Sequence, residues 1–198
     1  METFVNDHVE AYIYQQAKNG NHISGDAYFV HSEDDYFICA IADGLGNGPI
    51  AHQSAQVIPD ILKEFHHETV DELLMRCNMK MMHKRGAAVA IVKVDYTTKT
   101  IHYSCVGNVR FYVLQDQVNM IYPLPVMGYL SGKPQNLKMH QCEYRNGDLF
   151  ILHSDGVDLK SPKSCLKNSK EPYRLYQNVL PSINHNDDAT FIAGRLLL

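Results

Sequence analysis

The chain of 198 residues is 45% hydrophobic and 20% charged, the balance of an ordinary globular protein with one buried core and not of a disordered one. Eighteen Lys and Arg against 22 Asp and Glu leave a net charge of −4, so the broad basic footprint of a non-specific nucleic-acid binder is missing. No apolar run approaches the roughly 20 residues of a membrane helix, and the acidic N-terminus lacks the apolar stretch of a signal peptide.

In chain order, residues 27–32 and 36–42 are expected as strands around the turn-prone Glu33-Asp34-Asp35. The loop Asp43-Gly44-Leu45-Gly46-Asn47-Gly48-Pro49 follows, with Asn47 able to cap a helix and Pro49 suited to its first turn. Ile50, Ser54, Val57, Ile58, Ile61, Leu62 and Phe65 recur on one helical face, which Pro59 should kink or break. Thr69-Val70-Asp71-Glu72 is a capping box opening a second helix, with a stripe of Val70, Leu73, Leu74, Cys77 and Met81 and an end near Gly86. The pair His66-His67 with Glu68 resembles a metal cluster. Adjacent histidines point in different directions, however, so a solvated helix end is expected there. Met79, Met81 and Met82 are expected to fill core gaps.

Strands are expected at 87–95, 100–106 and 109–114. Residues 123–138, rich in Pro and Gly, form the longest irregular segment, either a functional loop or a plain surface connection. Strands 139–145 and 148–153 flank Asn146-Gly147, a hairpin signal. A helix within 171–181 and a strand at 189–196 complete the chain, and no internal repeat divides residues 1–198, expected as a single domain. The five cysteines are odd in number and form no C-x-x-C pair, as expected for reduced core thiols of a cytoplasmic protein. Strands, two helices and then mostly strands imply helices covering antiparallel sheets.

Several aspartates sit where these strands begin or end. Asp43 and Asp155 follow strands, whereas Asp26, Asp187 and Asp188 precede them. In antiparallel neighbours the end of one strand lies beside the start of the next, so these carboxylates can converge on one rim. Like charges gathered this way raise each other's pKa unless a cation neutralises them. An all-oxygen set suits the hard ions Mg²⁺ and Mn²⁺. Gly25, Gly44 and Gly156 each neighbour one of these aspartates and allow close backbone approach. By contrast, Gly44-x-Gly46-x-Gly48 lacks the Gly-Lys-Ser/Thr ending of a nucleotide loop.

In order, Gly25-Asp26, Asp43-Gly44-x-Gly46, Gly107-Asn108-x-Arg110, Ser154-Asp155-Gly156 and Asp187-Asp188-Ala189-Thr190 resemble the motifs of the metal-dependent PPM (type 2C) protein serine/threonine phosphatases. The match is nearest to the short bacterial branch of sporulation and general-stress regulators. Lys84-Arg85-Gly86-Ala87, 106–111, 122–125 and 128–135 look like the stressosome feedback phosphatases of that branch. The resemblance implies an α+β fold, a four-layer α-β-β-α sandwich with two central antiparallel sheets flanked by helices. It implies two Mn²⁺ or Mg²⁺ ions that activate water. Substrates would be phosphoserine or phosphothreonine on STAS-domain stressosome proteins of the RsbS and RsbR type, giving negative feedback on the general stress response.

Carried over by residue, the resemblance has Asp43 bridge both ions. The Gly44 carbonyl and Asp26 would serve one ion, Asp155 and Asp187 the other, and Asp188 would stand behind them. Three departures matter. Leu45 replaces the histidine that larger members offer as a general acid, and His22 and His153 are the nearest substitutes in sequence. The first arginine is Arg76, so the N-terminal phosphate-gripping arginine is missing and no arginine is expected at the site. Asn108 replaces a usual aspartate, which argues against a tightly held third ion. These departures leave a phosphoprotein-binding regulator of little activity as the alternative, and a hydrolase of small phosphate esters as a third reading.

Overall fold

The computed structural model describes residues 1–198. Strands β1 (Glu2–Val5) and β2 (Val9–Gln16) precede the hairpin β3 (Asp26–Ser32) and β4 (Tyr36–Gly44). Helices α1 (Gly48–Ala55), α2 (Val57–Phe65) and α3 (Val70–Lys80) follow. Then come β5 (Ala87–Asp95), β6 (Thr100–Val106), β7 (Arg110–Gln115), β8 (Asn119–Ile121), β9 (His140–Glu143) and β10 (Leu149–His153). Helices α4 (Pro162–Lys167) and α5 (Pro172–Val179), a 3-10 turn at Leu180–Ser182 and β11 (Ala189–Leu196) end the chain.

The strands form two sheets, β1-β2-β11-β10-β7-β8 and β3-β4-β5-β6-β9, with every ladder antiparallel. Strand periodicity distributes the apolar side chains among layers. On β4, Phe37, Cys39 and Ile41 face the other sheet, whereas Ile38, Ala40 and Ala42 pack beneath α1–α3. On β10, Phe150 and Leu152 face inward, and Leu149 and Ile151 meet α4 and α5. Both strands are therefore buried on two faces, and the four-layer sandwich results. No helix is long and apolar enough to cross a membrane.

Several local expectations need correction. Asn146-Gly147 does not close a hairpin: β9 pairs with β6 in one sheet, and β10 lies between β7 and β11 in the other. The reason is burial. An amphipathic β9 suits an edge, while β10 is apolar on both faces and needs a neighbour on each side. The turn is pinned by Asp148, whose carboxylate accepts the amides of Arg145 at 2.8 Å and Asp116 at 3.1 Å. Pro59 breaks the first helix upstream of itself, at Gln56, because its ring excludes the carbonyl four residues earlier. Asn47 stands at the helix start without a side-chain capping bond. The Thr69 amide does donate to Glu72, at 3.0 Å, but α3 ends at Lys80, well before Gly86. Strands β1, β2 and β8 and helix α4 go beyond the sequence expectations. All five cysteines are free thiols, three of them buried.

Candidate active site

Asp26 and Asp43 are direct cross-strand partners at the open end of the β3–β4 hairpin. Asp155 follows β10 and Asp187 precedes β11, and these two strands are neighbours in the other sheet. The two sheet edges thus deliver their carboxylates to one place. Asp43, Gly44, Asp155 and Asp187 line an open cleft of about 740 Å³, with Leu45, Asn108, Arg110 and the loop residues Leu124, Met127 and Tyr129. A roomier cleft of about 850 Å³ near α4 and α5 holds Asp158 as its only carboxylate, so size does not mark the reactive site.

Asp26 lies behind this cleft, 1% exposed. Its Oδ2 accepts a hydrogen bond from Ser154 Oγ at 2.6 Å, and Ser154 Oγ accepts from the Thr190 amide at 2.9 Å. Its Oδ1 is buried with no hydrogen-bond partner. Burial, and then the charges of Asp188 and Asp155, push the Asp26 carboxyl up to about 7, against the lowering effect of the Ser154 and Thr190 bonds. Burial, then Asp26 and Asp155, push Asp43 up to about 8. Asp155 is raised by burial and by Asp187. An unpartnered carboxylate oxygen among mutually repelling carboxylates is the donor set a hard divalent cation would satisfy, so the residues fit such an ion.

Asn108 is the hinge of the cluster. Its Nδ2 donates to Asp155 Oδ2 at 2.6 Å and Asp43 Oδ2 at 3.2 Å. The amide ties two sheets together where an aspartate would repel both neighbours. Asp188 turns away, accepting the Lys18 amide at 3.0 Å, and its own amide donates to Asp187 Oδ1 at 3.0 Å. Gly44 and Gly156 allow this packing, because a Cβ on either would strike a backbone carbonyl, of Ala51 and Asp188 respectively.

The expectation that no arginine is near fails. Arg110 lines the cleft, the only Lys or Arg that does, with one guanidinium bond to the Gly107 carbonyl at 3.2 Å. It arrives on β7 from the central motif and not from the N-terminus; its place three residues after Gly107 is the signal the sequence offers. Of the substitute acids, His153 is 4% exposed and packs on Tyr112, outside the cleft. Burial lowers it to about 4, so it stays neutral and gives no proton to the site. His22 is exposed and outside the cleft as well. Leu45 does line the cleft and offers no proton. The loop within 123–138 is a functional one in that it contributes the apolar side of the cleft.

Two antiparallel sheets between helices, with aspartates gathered at one rim, define the PP2C-type phosphatase class. The crystal structure of RsbX in complex with magnesium is 37% identical, with a TM-score of 0.95 over 98% of both chains. The family model for stage II sporulation protein E (SpoIIE) matches residues 33–196, and the chain belongs to this family. The phosphoserine phosphatase RsbX of Bacillus subtilis (strain 168) is 38% identical over 192 residues, 96% of each chain. A structure from work on the bacterial stressosome, a modular system adapted to control secondary messenger signalling, is 28% identical with a TM-score of 0.85 over 94% of this chain and 99% of that one.

Proposed function

We propose that this chain is a metal-dependent protein phosphatase that removes phosphate from serine or threonine of STAS-domain stressosome proteins, of the RsbS and RsbR type, in the cytoplasm. Residues 1–198 act as one domain in this proposal, supported by the shared core between the sheets. The observation that carries it is the convergence of Asp43, Asp155 and Asp187 on one cleft with Asp26 behind them. The name of the Bacillus subtilis relative and the likeness to a stressosome structure support the partner class. Leu124 is 78% and Met127 91% exposed on the cleft rim, which suits a protein surface better than a small phosphate ester.

In this reading Asp26, Asp43, the Gly44 carbonyl, Asp155 and Asp187 would hold two Mg²⁺ or Mn²⁺ ions. Such a pair of ions supplies an activated water and neutralises the charge of the phosphoryl group. The chain supplies the rest. Asn108 holds Asp43 and Asp155 at a fixed separation. Ser154 fixes Asp26 by donating to its Oδ2, leaving Oδ1 free. Arg110 brings unspent guanidinium donors to the cleft wall and orients an anionic substrate there. Leu45 excludes water from its side of the cleft without moving a proton.

Phosphate release from a serine-phosphorylated STAS protein tests the proposal. Release should stop on chelation and return with Mn²⁺ or Mg²⁺. Undiminished turnover by a metal-stripped sample would defeat it, and tight binding of the phosphoprotein without turnover would favour the regulator reading instead.

A further inference from the structure

At the far end of the same β3–β4 hairpin, three side chains from two segments meet. His31 lies near the end of β3, Glu33 in the turn, and His66 just past α2. His31 Nε2 is 2.8 Å from Glu33 Oε1, and His66 Nε2 is 3.9 Å from the same oxygen. The two imidazole centroids are 4.2 Å apart. One ligand atom from each residue lies within 4.8 Å of the others. None of the three lines the cleft of the aspartates.

An ordinary ion pair accounts for His31 with Glu33 and leaves the second imidazole unexplained. The orientation of His66 is set from behind: Tyr36 Oη sits 2.5 Å from Nδ1, so Nε2 is the nitrogen turned toward Glu33. A hydrogen bond on the remote ring nitrogen is the arrangement that fixes a metal-binding imidazole. On His31 it is Nε2 that meets Glu33, and its ring packs 6.0 Å from Phe29. With Zn–N near 2.0–2.1 Å, tetrahedral ligand atoms lie roughly 3.3 Å apart. The separations of 2.8 and 3.9 Å bracket that value, so small side-chain shifts reach it. Glu33 is 49% and His31 35% exposed, which leaves an entry path and room for a water as fourth ligand.

We propose that His31, Glu33 and His66 form a second metal site, of the two-histidine, one-carboxylate type, selective for a borderline ion such as Zn²⁺. Imidazole separates it chemically from the all-oxygen cluster, which suits hard ions. An ion held here ties the β3–β4 turn to the end of α2. His67 and Glu68, the sequence neighbours, take no part: Glu68 is paired with Arg76 at 2.5 Å.

The test uses the full chain, stripped by chelator and then held in excess Mg²⁺ to occupy the aspartates. Titration with Zn²⁺ by calorimetry should show one further equivalent. Titration with Co²⁺ should give the intense visible absorption of a tetrahedral site. Both signals should weaken by about tenfold or more in His66→Gln and in His31→Gln, by analogy with the cost of perturbing other metal sites. Both should persist in His67→Gln and Asp43→Asn. His31→Gln changes a partly exposed side chain and guards against a folding artefact, checked by circular dichroism. Equal Zn²⁺ affinity in His31→Gln and the unmodified chain, or Zn²⁺ uptake only in competition with Mg²⁺, would overturn the proposal.

Discussion

The two ends of the β3–β4 hairpin carry polar clusters built on opposite principles. At the open end Asp26 faces Asp43 across the ladder, an arrangement of like charges that costs stability by itself. At the turn end His31, Glu33 and His66 set one carboxylate against two imidazoles and lie partly in solvent. The first cluster has neutral donors, Ser154 and Asn108, and one guanidinium, Arg110, near four carboxylates, and keeps an unpartnered oxygen. The second has a single carboxylate with an imidazole nitrogen 2.8 Å away and no like charge within the cluster. A buried cluster of one sign thus depends on a cation, whereas a mixed exposed cluster stands with or without one.

Substitutions at the open end should separate the two ends most sharply. Asp43→Asn should lower turnover of a phosphoprotein by roughly a hundredfold or more, since even residues behind a metal ligand cost about 10–100-fold. His31→Gln, on the same hairpin, should leave that rate unchanged. Comparable losses in both variants would end the contrast. Asp187→Asn should act like Asp43→Asn, and a near-normal rate would place the ligand elsewhere. Arg110→Ala should reduce kcat/KM by roughly tenfold, with Arg110→Lys recovering part of it, as expected for an anion-orienting guanidinium. Steady-state kinetics over a substrate series would read this, and an unchanged KM and kcat would remove Arg110 from substrate binding.

The smallest effect is thermal. Asp43 at about 8 and Asp26 at about 7 lie above their ordinary 3.8. Between these values the folded chain holds more protons than the unfolded one, so metal-free protein should lose stability as pH rises through that window. A cation displaces those protons. The rise in Tm on adding Mg²⁺ should therefore be larger near pH 8 than near pH 6. A shift that shrinks with rising pH would show that the carboxyls are already ionised without metal.

Much of this was legible in the sequence where the signal is local. The strands 87–95 and 189–196 fall where the apolar runs do, and the buried stripe of α3 runs through Leu73, Leu74 and Cys77 as its periodicity requires. The convergence of aspartates followed from strand ends alone. Partner choice was not legible: Asn146-Gly147 has the chemistry of a hairpin, yet two-faced burial of β10 sends its flanking strands into different sheets. Strand β2 buries Val9, Ala11 and Ile13, a period-two signal blurred by Tyr12 and Tyr14 on the other face. Arg110 and His66 were visible as residues, but their neighbours come from distant segments. Only the folded chain brings Tyr36 to His66 or Arg110 to Asp155.

The pairing of β2 with β11 sets Val9 against Leu196, and Ser154 must arrive before Asp26 is held. The cleft therefore joins segments far apart in the chain. Contacts this remote in sequence make for slow, late folding. Asp26 and Asp43 share a local hairpin, whereas Asp155 and Asp187 are held beside them only with β11 in place between β2 and β10. The cleft therefore needs both sheets closed, not the β3–β4 hairpin alone.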